Sequence, residues 1–258
     1  MKGFGYGLVL ALQFLTRVPL PVNVPWEKAV LKGALKSFSL VGLIIGFLVM
    51  GVSILADGWM PAWFTALLLL SVWTALTGGL HLDGLMDVAD AIGSNAPVEK
   101  KLTIMKDPHI GSFAMLTLIF YLLWKLALIY GLLTSGIIMD DFLTAVMFLL
   151  VPACSRFLAI LLLRTTPTVK RKGLAFTWQE HLTNRDVIAV LLPIVLIGLF
   201  VPDAWFLLVG YGLFFYFLRG WFLTKFHGIN GDMLGAAIEG GELWGLMMVY
   251  LFILSGTG

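Results

Sequence analysis

Apolar stretches of about twenty residues recur along the chain, separated by short polar clusters, and about twenty residues is what a helix needs to cross a bilayer. Segments 37–56, 62–80, 111–133, 142–163, 187–201, 204–222 and 233–254 fit that pattern. They predict an all-α polytopic membrane protein with about seven transmembrane helices. The fifth segment is short and contains Pro193, so a kink, an earlier start or a tight hairpin with the sixth is expected. The seventh opens on polar residues and becomes strongly apolar only near Leu243. Residues 4–20 are apolar but short and end at Pro19 and Pro21, which suits an interfacial or re-entrant helix, or a tilted extra crossing. Residues 25–36 space Lys28, Lys32 and Lys36 beside Trp26, Leu31 and Leu35, the pattern of an amphipathic helix on a membrane surface. Neither an internal repeat nor a soluble second domain is evident. The expectation is one integral-membrane domain, 1–258, with 1–36 as its N-terminal portion.

Composition sharpens this picture. The chain is 60% apolar and only 12% Asp, Glu, Lys and Arg, whereas soluble domains carry about 25% of the charged types. The net charge of +2 says little, and no basic patch is broad enough to suggest nucleic acid as a partner. A single cysteine, Cys154, excludes an intrachain disulfide framework and a multi-cysteine metal site. No secretory signal pattern stands at the N-terminus, so the first true span is expected to serve as the targeting signal. The distribution of Lys and Arg sets the orientation. Connections 57–61, 134–141 and 202–203 contain neither residue. The opposite connections carry Lys100, Lys101 and Lys106, then Arg164, Lys170, Arg171, Lys172 and Arg185, then Lys225. Arg17 and Lys28, Lys32 and Lys36 precede the first span. By the positive-inside rule the basic connections face the cytoplasm, and every loop with candidate chemistry lies on that side.

The first such loop is GGLHLDGLMDVADA, residues 78–91. Separations of four and three place Asp83, Asp87 and Asp90 on one face of a helix. Carboxylates so placed repel one another unless a proton or cation relieves them. Mg²⁺ suits such oxygen ligands, because it takes few protein carboxylates and completes its shell with substrate phosphates. Helix capping in contact with solvent would explain one aspartate; three near membrane depth point to a polar site. His81 can position a phosphate, transfer a proton or hydrogen-bond a carbonyl, and spacing does not choose among these. LTIMKDPHIGS, residues 102–112, supplies Lys106 for a phosphate and Asp107 for a metal shell or to orient Lys106; the bland alternative is a surface pair worth little. Ser155 and Arg156 lie inside an apolar run, and an intramembrane arginine needs a polar partner. Lys170, Arg171 and Lys172 resemble an anionic headgroup contact, or serve only to set topology. In HGINGDMLGAAIEGGE, residues 227–242, Gly228 and Gly231 can shape a loop around phosphate, and Asp232 can cap a helix or bind a cation. Glu239 and Glu242 share its broad face and can orient Lys or Arg residues.

These blocks in this order resemble the cobalamin synthase family, the adenosylcobinamide-GDP ribazoletransferases. The resemblance rests on ALQFLTRVPLP at 11–21, GGLHLDGLMDVADA, LTIMKDPHIGS, the Ser155-Arg156 pair and GINGDMLGA at 228–236, across nearly the whole chain. It implies a polytopic inner-membrane enzyme that joins adenosylcobinamide-GDP to α-ribazole or its 5'-phosphate, releases GMP, and uses Mg²⁺. On that reading Asp83, Asp87, Asp90 and Asp232 hold metal, Asp107 joins the catalytic set, and His81, Lys106, Arg156, Gly228 and Gly231 contact the substrates. The general base stays open between Asp87 and Asp90, and a homo-oligomeric state is left open too. One departure stands out: Leu82 replaces the glutamate the family commonly carries between the histidine and aspartate. Two competing classes are a CDP-alcohol phosphotransferase, whose DGxxAR…GxxxDxxxD arrangement the chain lacks, and a transporter with Arg156, Asp232 and Glu239 along its pathway.

Overall fold

A computed structural model describes residues 2–135 and 142–256, which form twelve α-helices and one short 3₁₀ turn at Pro202–Ala204. Helices α1 (Lys2–Leu15) and α2 (Lys28–Lys36) pair with each other. The link between them is fixed by Gln13, whose amide donates to the carbonyls of Leu20 and Val22, both at 2.9 Å. Then follow α3 (Phe38–Ala56), α4 (Ala62–Thr77), α5 (Leu80–Gly93), α6 (Val98–Ile104) and α7 (Ser112–Thr134). Helices α8 (Phe142–Thr165), α9 (Leu174–His181), α10 (Asn184–Phe200), α11 (Trp205–Phe226) and α12 (Gly231–Gly256) complete the order. Helix α8 lies at the centre, packed against α3 and α12, and α12 also packs along α5.

Among the described residues four helices are long and apolar enough to cross a membrane: α3, α7, α11 and α12. The count rises to six if two bent pairs, α4 with α5 and α9 with α10, each make one crossing. The sequence pattern predicts about seven spans, and two of those segments bend or start differently for local reasons. Segment 62–80 is cut at Gly78 and Gly79, both left-handed at φ +65° and +70°, and the chain turns by 90°. Glycine carries no Cβ penalty there, so two such residues in succession end α4 and re-aim the chain. Helix α5 therefore runs across the direction of α4 and leaves that crossing. The fifth segment starts earlier than 187: α10 begins at Asn184, held by Asp186, which accepts from the Thr183 N–H at 2.9 Å and its hydroxyl at 2.6 Å. The expected connection 134–141 lies mostly outside the described residues.

Apolar side chains cover the outside of the crossings. Phe120, Trp124, Leu213 and Tyr216 are more than half exposed, which lipid tolerates and water does not. The polar residues expected to matter sit inward or at one end of the bundle.

Candidate active site

Helix α5 presents the acidic block. Its inner face meets α12 at Gly84, where a Cβ would stand 2.5 Å from the Asp232 carbonyl oxygen. No larger residue fits, so the two backbones touch and bring the α5 aspartates beside Asp232. Three cavities meet here. One, of about 230 Å³, is walled by Asp83, Asp87 and Asp90 on α5 and by Lys106, Asp107 and His109 on the following loop. A second, of about 400 Å³, is lined by Lys106, Lys170, Lys172 and Asn230 to Asp232. A third, of about 210 Å³, is mostly apolar and reaches Asp83 and Asp232 at its rim. Asp83, Lys106 and Asp232 each line two of the three, so they mark the junction.

The carboxylates differ in how far they are committed. Both Asp90 oxygens are engaged, accepting from the Gly111 N–H at 2.7 Å and the Ala114 N–H at 2.8 Å. Asp90 thus caps the start of α7 from a distance and fixes α5 against it. Asp107 accepts from the backbone N–H of His109 at 3.0 Å and contacts its ring Nδ1 at 2.6 Å. Those contacts hold the Asp107 carboxyl below its usual range. Capping of α12 falls to Asn230, whose side-chain oxygen accepts from the Met233 N–H at 2.9 Å. Its amide steadies an Asp232 oxygen at 3.0 Å, so Asp232 is spared the capping role. Burial, and then the charges of Asp83, Asp232 and Asp90, push the Asp87 carboxyl up to about 7. The neighbouring carboxylates thus disfavour a further negative charge on Asp87.

Among the described residues no three His, Cys, Asp or Glu side chains converge closely enough to cage a metal by themselves. The donor set still fits a hard divalent ion. It is oxygen-only, open to the cleft and adjacent to lysines, as expected for Mg²⁺ shared with phosphate oxygens.

Lys170 and Lys172, which the sequence left between an anionic headgroup contact and a topology role, line the cavity beside Lys106. They reach the site because the 167–169 stretch pairs with the 229 loop: Val169 N–H donates to the Ile229 carbonyl, and Ile229 N–H to Pro167, both at 2.9 Å. Gly228 serves this pairing, since a Cβ there would stand 2.5 Å from the Pro167 carbonyl oxygen. The loop it shapes, Ile229 to Asp232, lines the lysine cavity. Lys106 first, then burial and Lys172, lower the Lys170 pKa, and Lys106, Lys170 and Lys172 line the same cavity. Cations drawn this close invite an anion between them.

Arg156 is placed elsewhere. It is fully buried and ion-paired to Glu242, with further bonds from Nη1 to the Pro152 carbonyl at 3.3 Å and Ser155 Oγ at 3.1 Å. Lys125 on α7, lost to sequence reading inside an apolar run, meets Glu242 at 2.5 Å and Glu239 at 3.5 Å. The Tyr121 hydroxyl accepts from Lys125 at 2.9 Å and donates to Glu239. The Lys125 ammonium also stands 4.4 Å from the centre of the Trp73 ring. Two cations and two carboxylates thus balance inside the bundle. Arg156, expected at the substrate phosphates, is found buried in an ion pair with Glu242. The signal for Lys125 was present: a lone lysine amid a span needs a polar partner. His81 is also buried, below the acidic rim. Leu82 is buried and lines none of the three cavities, whereas its neighbours His81 and Asp83 do.

Helical crossings with an acidic and basic cleft at one end define a multi-span membrane protein built to handle anionic substrates. Residues 7–250 match the family described as CobS, cobalamin-5-phosphate synthase. The adenosylcobinamide-GDP ribazoletransferase of Halalkalibacterium halodurans is 34% identical over 264 residues, covering 97% of each chain. That of Geobacillus kaustophilus is 35% identical over 261 residues, covering 96% of this chain and 97% of the relative. That of Pseudomonas paraeruginosa is 38% identical over 240 residues, covering 90% and 92%. No solved structure matches the chain. The chain belongs to the cobalamin synthase family.

Proposed function

We propose that this protein is an adenosylcobinamide-GDP ribazoletransferase. It transfers the adenosylcobinamide-phosphate group from adenosylcobinamide-GDP to α-ribazole or its 5'-phosphate, forming adenosylcobalamin or its 5'-phosphate and releasing GMP. The observation that carries the reading is the junction of three cavities at Asp83, Lys106 and Asp232 in a chain of this family. Neither a phospholipid-forming phosphotransferase nor a transporter accounts for that membership.

In the reaction a ribazole hydroxyl oxygen bonds to the phosphorus next to cobinamide. The anhydride P–O bond breaks, and GMP leaves with the bridging oxygen. Lys106, Lys170 and Lys172 hold the diphosphate by charge-assisted bonds. Asp83 and Asp232 would hold Mg²⁺, which when bound aligns the phosphates and offsets charge on the leaving oxygen. Asp90 keeps α5 seated on α7, and Asp107 fixes the His109 turn beside Lys106. With both Asp90 oxygens engaged, Asp87 takes the hydroxyl proton.

The whole chain acts as one catalytic domain of a bacterial inner membrane. It crosses about seven times, with α1 and α2 at the interface and the cleft toward the cytoplasm. The test is turnover by the purified full-length protein in lipid vesicles. GMP release should require both substrates and a divalent cation, and mass spectrometry should find the joined product. Folded Asp83→Asn protein should lose most turnover while still inserting into membranes. Wild-type turnover and unchanged Mg²⁺ dependence in that variant would remove Asp83 from the metal site.

A further inference from the structure

The third cavity has a chemistry unlike its neighbours. Phe14 on α1, Phe38 on α3 and Trp178 on α9 form one of its walls, with ring centres 4.6 Å apart for Phe14–Trp178 and 5.4 Å for Phe38–Trp178. Ala159, Ile160 and Leu163 of α8 line it too. Two of its lining residues carry buried polar atoms with no hydrogen-bond partner: both ring nitrogens of His81, which is 4% exposed, and the indole N–H of Trp178, also 4% exposed. Such orphans are rare and expensive in a folded protein. At 210 Å³ the cavity exceeds the roughly 150 Å³ that admits benzene in an engineered apolar core. It opens at Asp83 and Asp232.

We propose that this cavity is the subsite for the aromatic base of the acceptor nucleoside, a benzimidazole, and that His81 and Trp178 select it. The inference rests on the ribazoletransferase reading above. A benzimidazole nucleoside has a large apolar face and one unsubstituted ring nitrogen, which accepts a hydrogen bond. The aromatic wall takes the face, and an N–H from His81 or Trp178 takes the nitrogen. With the base seated against α8 and α9, the ribose extends toward the rim, where its hydroxyl meets the carboxylates and the phosphorus. Guanine, the base of the donor, is a poor match. Its edge carries several donors and acceptors, and the aliphatic α8 wall would leave most of them unpaired. The donor's diphosphate also has its own cationic wall in the lysine cavity, across Asp232.

The experiment uses full-length protein in lipid vesicles. Ala159→Phe fills the cavity from α8. It should raise the KM for the acceptor by roughly tenfold or more while leaving the donor KM nearly unchanged. The variant should discriminate less against the smaller unsubstituted benzimidazole riboside than against its dimethyl form. Folding of the variant is not essential, because an azidobenzimidazole riboside can be photo-crosslinked to wild-type protein. Label is expected on peptides holding Phe14, Phe38 or Trp178. A rise in donor KM alone would give the cavity to guanine and overturn the proposal. Tightly held phospholipid lost in Ala159→Phe, with acceptor KM unchanged, would give it to an acyl chain and also overturn it. Crosslinking outside these peptides would do the same. Wild-type protein that takes the label on this wall yet forms no product would defeat the transferase reading and leave the subsite standing.

Discussion

Glu242 is where the buried charges of the bundle balance. Arg156 and Lys125 both pair with it, and Glu239 supplies the second carboxylate. Removing one member leaves an uncompensated charge out of water, which costs about 3–5 kcal/mol in buried pairs. Glu242→Gln should therefore lower the thermal unfolding temperature in detergent markedly. Adding Lys125→Met to Glu242→Gln restores the balance of charge and should recover part of the loss, as a double-mutant cycle would measure. Additive losses, with no recovery in the double variant, would mean the quartet does not act as a unit. At the cleft, Lys170→Met removes one cation from the wall of the lysine cavity, so the donor KM should rise with acceptor KM little altered. Residue type was readable in the sequence, since Arg156 amid an apolar run demanded a partner. The partner was not readable, because α7, α8 and α12 meet only in three dimensions. The same gap separates Lys170 from Lys106, which are joined by a loop pairing that no spacing encodes.

Elements were legible where hydropathy alone decides them. Helices α3, α7 and α11 lie within a few residues of the apolar segments that predicted them, because lipid demands long uninterrupted helices. Legibility failed where a crossing bends. Nothing in hydropathy marks Gly78 and Gly79 as a bend, yet their left-handed geometry turns α5 by 90° from α4. That swing, with the close approach at Gly84, puts Asp83 next to Asp232 from the far end of the chain. The element-scale prediction follows from Gly84. Its Cβ would meet the Asp232 carbonyl oxygen at 2.5 Å, and a backbone atom has no room to yield. Gly84→Ala should push α5 off α12, with an overpacking cost of about 1–3 kcal/mol. Turnover should fall far more than membrane insertion, and the acceptor and donor should both be affected. A variant with normal turnover and stability would show that α5 and α12 separate without consequence.

The cleft gathers residues from distant parts of the chain, and the proposal that it faces the cytoplasm rests on the placement of lysine and arginine. Asn95 is exposed between α5 and α6, in a region with Lys100, Lys101 and Lys106. Trp59 is 88% exposed between α3 and α4, in a connection without Lys or Arg. Cysteine labelling can read the two sides cleanly, because the one native cysteine, Cys154, is buried and gives little background. With a membrane-impermeant maleimide, Trp59→Cys should react in intact cells, and Asn95→Cys only after the membrane is opened. A guanosine diphosphate ester carries several negative charges and does not cross lipid unaided, so a cleft that uses it must open to the compartment that holds nucleotides. Labelling of Asn95→Cys from outside intact cells would place the aspartates and lysines on the wrong side of that barrier. The cleft would then need an extracytoplasmic donor, and the transferase reading would fail even though every distance within the site stayed as it is.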